Sequence, residues 1–408
     1  METSPHRIAA IVLLGLLLSG FGVWQWLHTR PVPAWQDRPE TAAHAGIRSA
    51  KAVSDNGRQA RAERMATADQ CGKMMNAALH AHAASLKQRQ DAQSQIGYAL
   101  AAPFTVFGEL AQTGVRDIDA EVVKRRFEQQ RAESQQAFAR ARALAPDNPD
   151  IPWLAAIQCG VDEACQGVRE ELLAAEPDNA AAWLREMTWA RIRNDKAGVE
   201  RAFQRAADAS RYDRHAGASQ LAILQSFSAV RMPAACEAED VQAELQDLFP
   251  GQGKVGAADF VLAIATSLAG IEAPAYMEIR GHCSLATGSG LDVKRRKTCE
   301  RVLERMAGSD SLLDQAIALG LLVELAGDGD DAVRWRERYR EFQWLRAHMG
   351  KPVFQGLTME DYAFDEMGAM QRALEAQGLW PAPAGWLPRD ERARSLIQTG
   401  RPPPDPRR

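Results

Sequence analysis

The chain has 408 residues, a formal net charge of −4 and a pI near 6.1. Its charged fraction of 25% is the globular average and its length allows a substantial core, so the bulk of it should fold. The slightly acidic balance offers no electrostatic footing for nucleic acid, which is excluded as an expected partner.

The first predicted element is apolar. Ile8 to Leu27 carries no charge, follows Arg7 and ends in Trp24 and Trp26, the aromatic type that favours the headgroup layer. Residues 1–30 therefore read as a signal-anchor or transmembrane segment. The alternative is a removable secretory signal, because Ser19, Gly20 and Gly22 supply small residues after an apolar core. Val23, Trp24, Trp26 and Leu27 prolong the run beyond any such cut, and no Ala-x-Ala is present, which suits an anchor better.

Residues 31–66 change character. Pro31, Pro33, Pro39, Gly46, Asn56 and Gly57 interrupt a polar stretch and predict a flexible stalk, with a transient helix from Arg58 onward. Residues 67–398 are rich in Ala, Leu, Glu and Arg with recurrent turn residues, which predicts an all-α domain. Residues 399–408 include Pro402, Pro403, Pro404 and Pro406, which cannot continue a helix and predict a disordered tail.

Two stretches inside the helical region look alike. Pro146-Asp147-Asn148 precedes Trp153-Leu154, and Pro177-Asp178-Asn179 precedes Trp183-Leu184. In each, Pro stops one helix, and Asp or Asn can accept the free N–H groups that open the next. The two prolines are 31 residues apart. This segment resembles the tetratricopeptide family of helix-turn-helix repeats, whose unit opens on Trp and closes on Pro. Trp183, Phe203 and Ala206 match the family's Trp, Phe and small-residue positions, and Phe138, Ala141 and Pro146 match the end of a preceding unit. Glu186 and Ala190 depart from the pattern, standing where Leu and Tyr are expected. The resemblance covers about residues 119–212, and Sel1-like repeats fit almost as well. It implies a helical-hairpin α-solenoid in which Trp153 and Trp183 are equivalent buried residues.

Further helices are predicted over Arg211–Met232, Glu237–Leu248, Ala257–Ala269, Asp292–Met306, Ser311–Leu325, Asp330–Met349 and Thr358–Gln377. Gly270 to Leu291 reads as one long connection. In the helix near residue 340, Trp335, Tyr339 and Phe342 recur at i, i+4 and i+7, a buried stripe, while its arginines alternate with Glu337 and Glu341 as a solvated face.

The six cysteines, Cys71, Cys159, Cys165, Cys236, Cys283 and Cys299, form no CxxC. An even count behind an export-like segment predicts disulfides in an oxidising compartment, the alternative being six buried thiols. Gly160 can end one helix and Asp162 can cap the next, so Cys159 and Cys165 should pair across that bend. Cys283 and Cys299 should pair across one loop, which leaves Cys71 for Cys236.

Recognisable chemistry is sparse. Gly251-Gln252-Gly253-Lys254 lacks the upstream Gly and the Ser/Thr of a phosphate loop. Asp328, Asp330 and Asp331 lack the alternation and closing Glu of a calcium loop. His80 and His82 point about 200° apart on a helix and cannot share a metal. Asp361 and Asp365 read as a solvated acidic face, and Gly288-Ser289-Gly290 lacks the strand a nucleotide loop needs. No catalytic, cofactor or metal residue is expected. The reading that follows is an inner-membrane, single-pass protein with its main domain periplasmic, or else a secreted one. It would act as a scaffold for a membrane-associated protein or peptide, the alternative being an envelope enzyme with dispersed catalytic residues.

Overall fold

A computed structural model describes residues 53–113, 120–159, 163–248, 254–271, 276–284, 291–329, 331–348 and 359–403. Among these, helices account for all the regular structure, and one isolated bridge joins Asn179 to Arg211. The chain is all-α. The expected membrane segment, residues 8–27, lies outside the described residues, as do Gly251-Gln252-Gly253 and Gly288-Ser289-Gly290. Among the described residues no helix is long and apolar enough to cross a membrane.

The chain divides into two compact units. The first combines residues up to Asp147 with 222–268; the second combines 148–221 with the chain from 269 onward. In the first unit, α1 (Val53–Gln88) begins inside the segment read as stalk. Its buried face is Cys71, Met75, Leu79, Ala83 and Leu86, a repeat at helical spacing. Helix α2 (Ala92–Thr113) is capped by Asp91, which accepts from Ser94 N at 2.8 Å. Helix α3 (Ala120–Leu144) packs closely on α2 because the facing residues are small: Ala99, Ala102, Ala137 and Ala141 are fully buried. Ser134 Oγ donates across that contact to Ala99 O at 2.8 Å. Cys71 of α1 is bonded to Cys236 beside Val241, Leu245 and Val255.

The second unit opens with α4 (Asp150–Cys159) and α5 (Gln166–Ala175), then α6 (Ala180–Ile192) and α7 (Lys196–Asp208). Helix α8 (Ala216–Phe227) leads out of it. The chain passes through α9 (Glu239–Leu248) and α10 (Ala257–Ile271), and re-enters with α11 (Tyr276–Cys283). The unit is completed by α12 (Val293–Met306), α13 (Leu312–Ala326), α14 (Ala332–His348), α15 (Met359–Glu375) and α16 (Glu391–Thr399). Each short connection carries its own stop and start: Asp195, Asp292 and Asp390 cap α7, α12 and α16 through their carboxyl oxygens. Helices α6 and α7 form one hairpin, α12, α13 and α14 pack in succession, and α7 lies against α12. The shared core includes Leu184, Met187, Phe203, Val302, Leu303, Leu322 and Leu345, and the stripe Trp335, Tyr339 and Phe342 is buried in it as its spacing required.

Candidate functional site

Five residues between α7 and α8 collect the densest polar network of the second unit. The sequence predicted a helix over Arg211–Met232, but the helix starts at Ala216 and 211–215 lies outside it. Arg211 pairs as an edge: its N–H donates to Asp178 O at 3.1 Å and its C=O accepts from Ala180 N at 2.8 Å. His215 closes the segment at φ +48°, a left-handed conformation uncommon for a residue with a Cβ. Asp213 supports it by accepting from His215 N at 2.8 Å. Alternate residues face different neighbours: Arg211, Asp213 and His215 serve one cluster while Tyr212 and Arg214 serve another.

In the first cluster His215 stands between two carboxylates. Its Nδ1 lies 2.7 Å from Asp150 Oδ1 and its Nε2 2.6 Å from Glu176 Oε1. Burial favours the neutral ring, but the bonds to Asp150 and Glu176 and the charge of Asp213 outweigh it and raise its pKa to about 10. Burial likewise opposes ionised Glu176, yet the bonds from His215 and Asn179 and the charge of Arg211 hold its pKa below the usual range. Asn179 finishes the network. Its amide donates to Glu176 Oε2 and to Asp213 O at 2.7 Å, and its Oδ1 accepts from Ala181 N at 3.0 Å and Asp213 N at 2.9 Å. An imidazolium engaged at both nitrogens cannot take a proton from a substrate. Its chemistry is that of a fastening between α4, the α5–α6 turn and the 211–215 segment.

The second cluster surrounds Asp314, which is 1% exposed. Its Oδ1 accepts from Tyr212 at 2.9 Å and Tyr276 at 2.7 Å, and its Oδ2 pairs with Arg214 Nη1 at 3.2 Å. Arg214 also donates to the Tyr276 hydroxyl at 2.6 Å. Burial and the nearby Asp314 push both phenols well above their ordinary pKa, so they remain protonated donors. Beside this cluster Glu366 Oε2 accepts from Leu312 N at 3.0 Å, and burial raises its pKa to about 7. Met367 N donates to Asp310 O at 3.0 Å, so α15 meets the start of α13 through adjacent polar contacts.

The residues singled out by sequence fall into several places. Cys159 and Cys165, Cys283 and Cys299, and Cys71 and Cys236 are the three bonded pairs, with Cα separations of 5.5, 5.6 and 5.3 Å. Phe138 and Ala141 are buried in the first unit, and Pro146 is exposed at its end. Trp153, Pro177, Trp183, Phe203 and Ala206 belong to the second, where Phe203 and Ala206 are buried in the core and Pro177 is exposed. The two turns do use the same device: Asn148 Oδ1 accepts from Asp150 N at 2.9 Å as Asn179 does from Ala181 N.

The two tryptophans take the same place in their helices but differ in burial. Trp153 is 2% exposed, stacked beside His215 at 5.3 Å between ring centroids and under the Arg185 guanidinium at 5.5 Å. Trp183 is only half-buried, because its indole N–H reaches out to Pro177 O at 2.7 Å and Arg205 covers the ring. The enclosed tryptophan of α6 is Trp189, which shares Arg185 with Trp153. His80 and His82 serve different neighbours: His82 Nε2 meets Ser226 O at 2.7 Å, and His80 borders a hollow of about 20 Å³ lined by Leu79, Ala83, Ile223 and Phe227. Asp365 caps the continuation of α15 after a kink, accepting from Gly368 N at 2.9 Å, and pairs with Arg372. Sequence reading missed Glu176, His215, Asp314 and Glu366. The available signal was the charged and aromatic alternation Arg211-Tyr212-Asp213-Arg214-His215, which has no apolar face for a helix to bury.

Comparison of the chain with known protein families, with characterised proteins and with solved structures finds no match in any of the three.

Proposed function

We propose that the chain is a membrane-tethered, extracytoplasmic helical-repeat protein acting as an interaction scaffold or adaptor in an envelope assembly. The observation that carries this reading is the succession of short-linked hairpins, α6–α7 and α12–α13–α14, packed through α7 and α12 around one core. Stacked hairpins of the tetratricopeptide kind expose broad surfaces for protein or peptide partners. That step is an analogy of architecture. Three disulfides support an oxidising compartment, and the apolar run 8–27 supplies the tether in this reading.

The second reading, an envelope enzyme with dispersed catalytic residues, is favoured by one observation. Glu366, held near pH 7 beside Asp314, Tyr212 and Tyr276, has the proton affinity of a general acid or base. One experiment separates the two. Proximity labelling by the full-length chain names neighbours, and each purified neighbour is titrated against the purified full-length chain. A saturable complex with a purified neighbour supports the scaffold. Turnover of a substrate by the full-length chain, abolished by Glu366→Gln, overturns it. A periplasmic-only reporter fused after Arg408 tests location, and a silent reporter reverses the topology.

A further inference from the structure

The outer face of α12 is divided by charge, with Lys294 and Lys297 in its first half and Glu300 and Glu304 in its second. Lys294, Lys297, Thr298, Glu300, Arg301 and Glu304 line one groove with Gln204 of α7. Thr298 is short and buried and forms its floor; Lys294, Lys297, Arg301 and Glu304 are exposed. Other cations of the helix are engaged: Arg295 with Glu200 at 2.8 Å, Arg301 with Asp208 at 3.0 Å, and Arg296 with Leu325 O at 2.7 Å. Among the described residues Lys294 and Lys297 meet no carboxylate within 4.0 Å. They also sit at the wrong end of the helix, since the N-terminus carries the positive end of the helix dipole and repels cations.

The other half of the groove is acidic. Glu304 is flanked by Arg334 at 3.4 Å, and the pKa of Glu300 is raised by burial first, with Glu304 and Asp331 adding to the rise and Arg296 and Lys297 opposing it.

From this the geometry points to a homodimer in which α12 pairs antiparallel with α12 of a second copy about a two-fold axis near Thr298. Self-complementarity is what a two-fold interface requires. With the axis between Thr298 and Cys299, Lys297 lies opposite Glu300 of the other copy and Lys294 within one residue of Glu304, each pair made twice. Antiparallel pairing also sets opposite helix-dipole ends side by side, and Thr298, short and buried, adds no bulk beside the axis. The inference is independent of the adaptor reading. Because the paired groups are at the surface, the association is concentration-dependent and weakens with salt.

The test uses the full-length protein in non-ionic detergent, followed by sedimentation velocity over a concentration series. The wild type is expected to dimerise, less so as salt is raised. Lys294→Glu/Lys297→Glu and Glu300→Lys/Glu304→Lys should each raise the dimer dissociation constant about tenfold or more, since like charges then face each other. Mixing the two variants should restore a heterodimer, and combining all four substitutions should restore the homodimer. A zero-length carbodiimide should join Lys294 to Glu304; ten residues of helix separate these by about 15 Å within one chain, so that product is intermolecular. Circular dichroism of each variant should match the wild type, because the altered side chains are at the surface. A wild type that stays monomeric, a dimer indifferent to both reversals, or a mixture that fails to associate overturns the proposal. Capture of an acidic peptide in the groove by monomers would overturn it equally.

Discussion

Glu176 and His215 share a 2.6 Å hydrogen bond with both side chains almost wholly out of solvent, 3% and 8% exposed. A buried charge of either sign would be costly alone. Together, with Asp150 on the far ring nitrogen, they join three stretches of chain that are distant in sequence. Removing one partner leaves the other charge buried and unopposed. His215→Ala should therefore destabilise the protein by about 3–5 kcal/mol, read by denaturant unfolding at pH 7.

The same pair sets a pH dependence. The folded pKa of His215, about 10, lies above its unfolded value near 6.5. Its contribution is fully present below pH 6.5 and is lost as pH rises through 10. The melting temperature of the wild type should fall between pH 7 and 10, and His215→Gln should flatten that slope. A slope unchanged in the variant would remove His215 as its source.

Glu366 works in the opposite region. Its folded pKa of about 7 exceeds the ordinary 4.5, so the folded chain holds a proton that the unfolded chain releases. Stability assigned to this group declines as pH rises from about 4.5 through 7. Glu366→Gln keeps an oxygen for Leu312 N without the charge. It should be close to neutral at pH 4.5 and stabilising at pH 8, on the order of 1–3 kcal/mol. Equal effects at both pH values would show that its proton is not linked to folding.

Trp153→Ala and Trp183→Ala should differ. The first empties an enclosed site and strips the stacking partner of Arg185, and should cost about 3–5 kcal/mol. The second removes a half-buried ring with one hydrogen bond and should cost about 1–2 kcal/mol. Equal losses would restore the equivalence that the repeat pattern implied.

Cys71 and Cys236 are 165 residues apart, the longest span closed by any of the three bonds. Cross-linking so long a loop restricts the unfolded chain most, so Cys71→Ser/Cys236→Ser should cost about 4–5 kcal/mol. The matching change at Cys159 and Cys165, which are 6 apart, should cost less. Urea titration of the two double variants ranks them.

Helices were legible wherever a cap and an apolar stripe coincided. The expected 292–306 helix, which opens on Asp292, is α12, and the expected 311–325 helix is α13, each within a residue or two. The failures share a cause. At 211–215 the one local sign against a helix is the want of an apolar face, and the observed form is held by Asp150, Glu176 and Asp314, up to about a hundred residues away. The connection Gly270–Leu291 hid α11 because its eight residues are too few to show a period. For the site, Asp314 inside Leu312-Leu313-Asp314 resembles any first-turn acid, and nothing near it announces two tyrosines and an arginine. Cysteine pairing was more accessible, since two of the three bonds join neighbouring helices across a single connection.

The first unit is built from two separated stretches, and this imposes an order on biogenesis. A chain made from its N-terminus presents Cys71 first, then Cys159 and Cys165, and only much later Cys236. Cys159 and Cys165 have each other within one short bend and can be satisfied as they emerge. Cys71 must wait as an open thiol while another unit's cysteines pass by. Under oxidising conditions the yield of correct pairing should then depend on how quickly the local pairs close and withdraw from competition with Cys71.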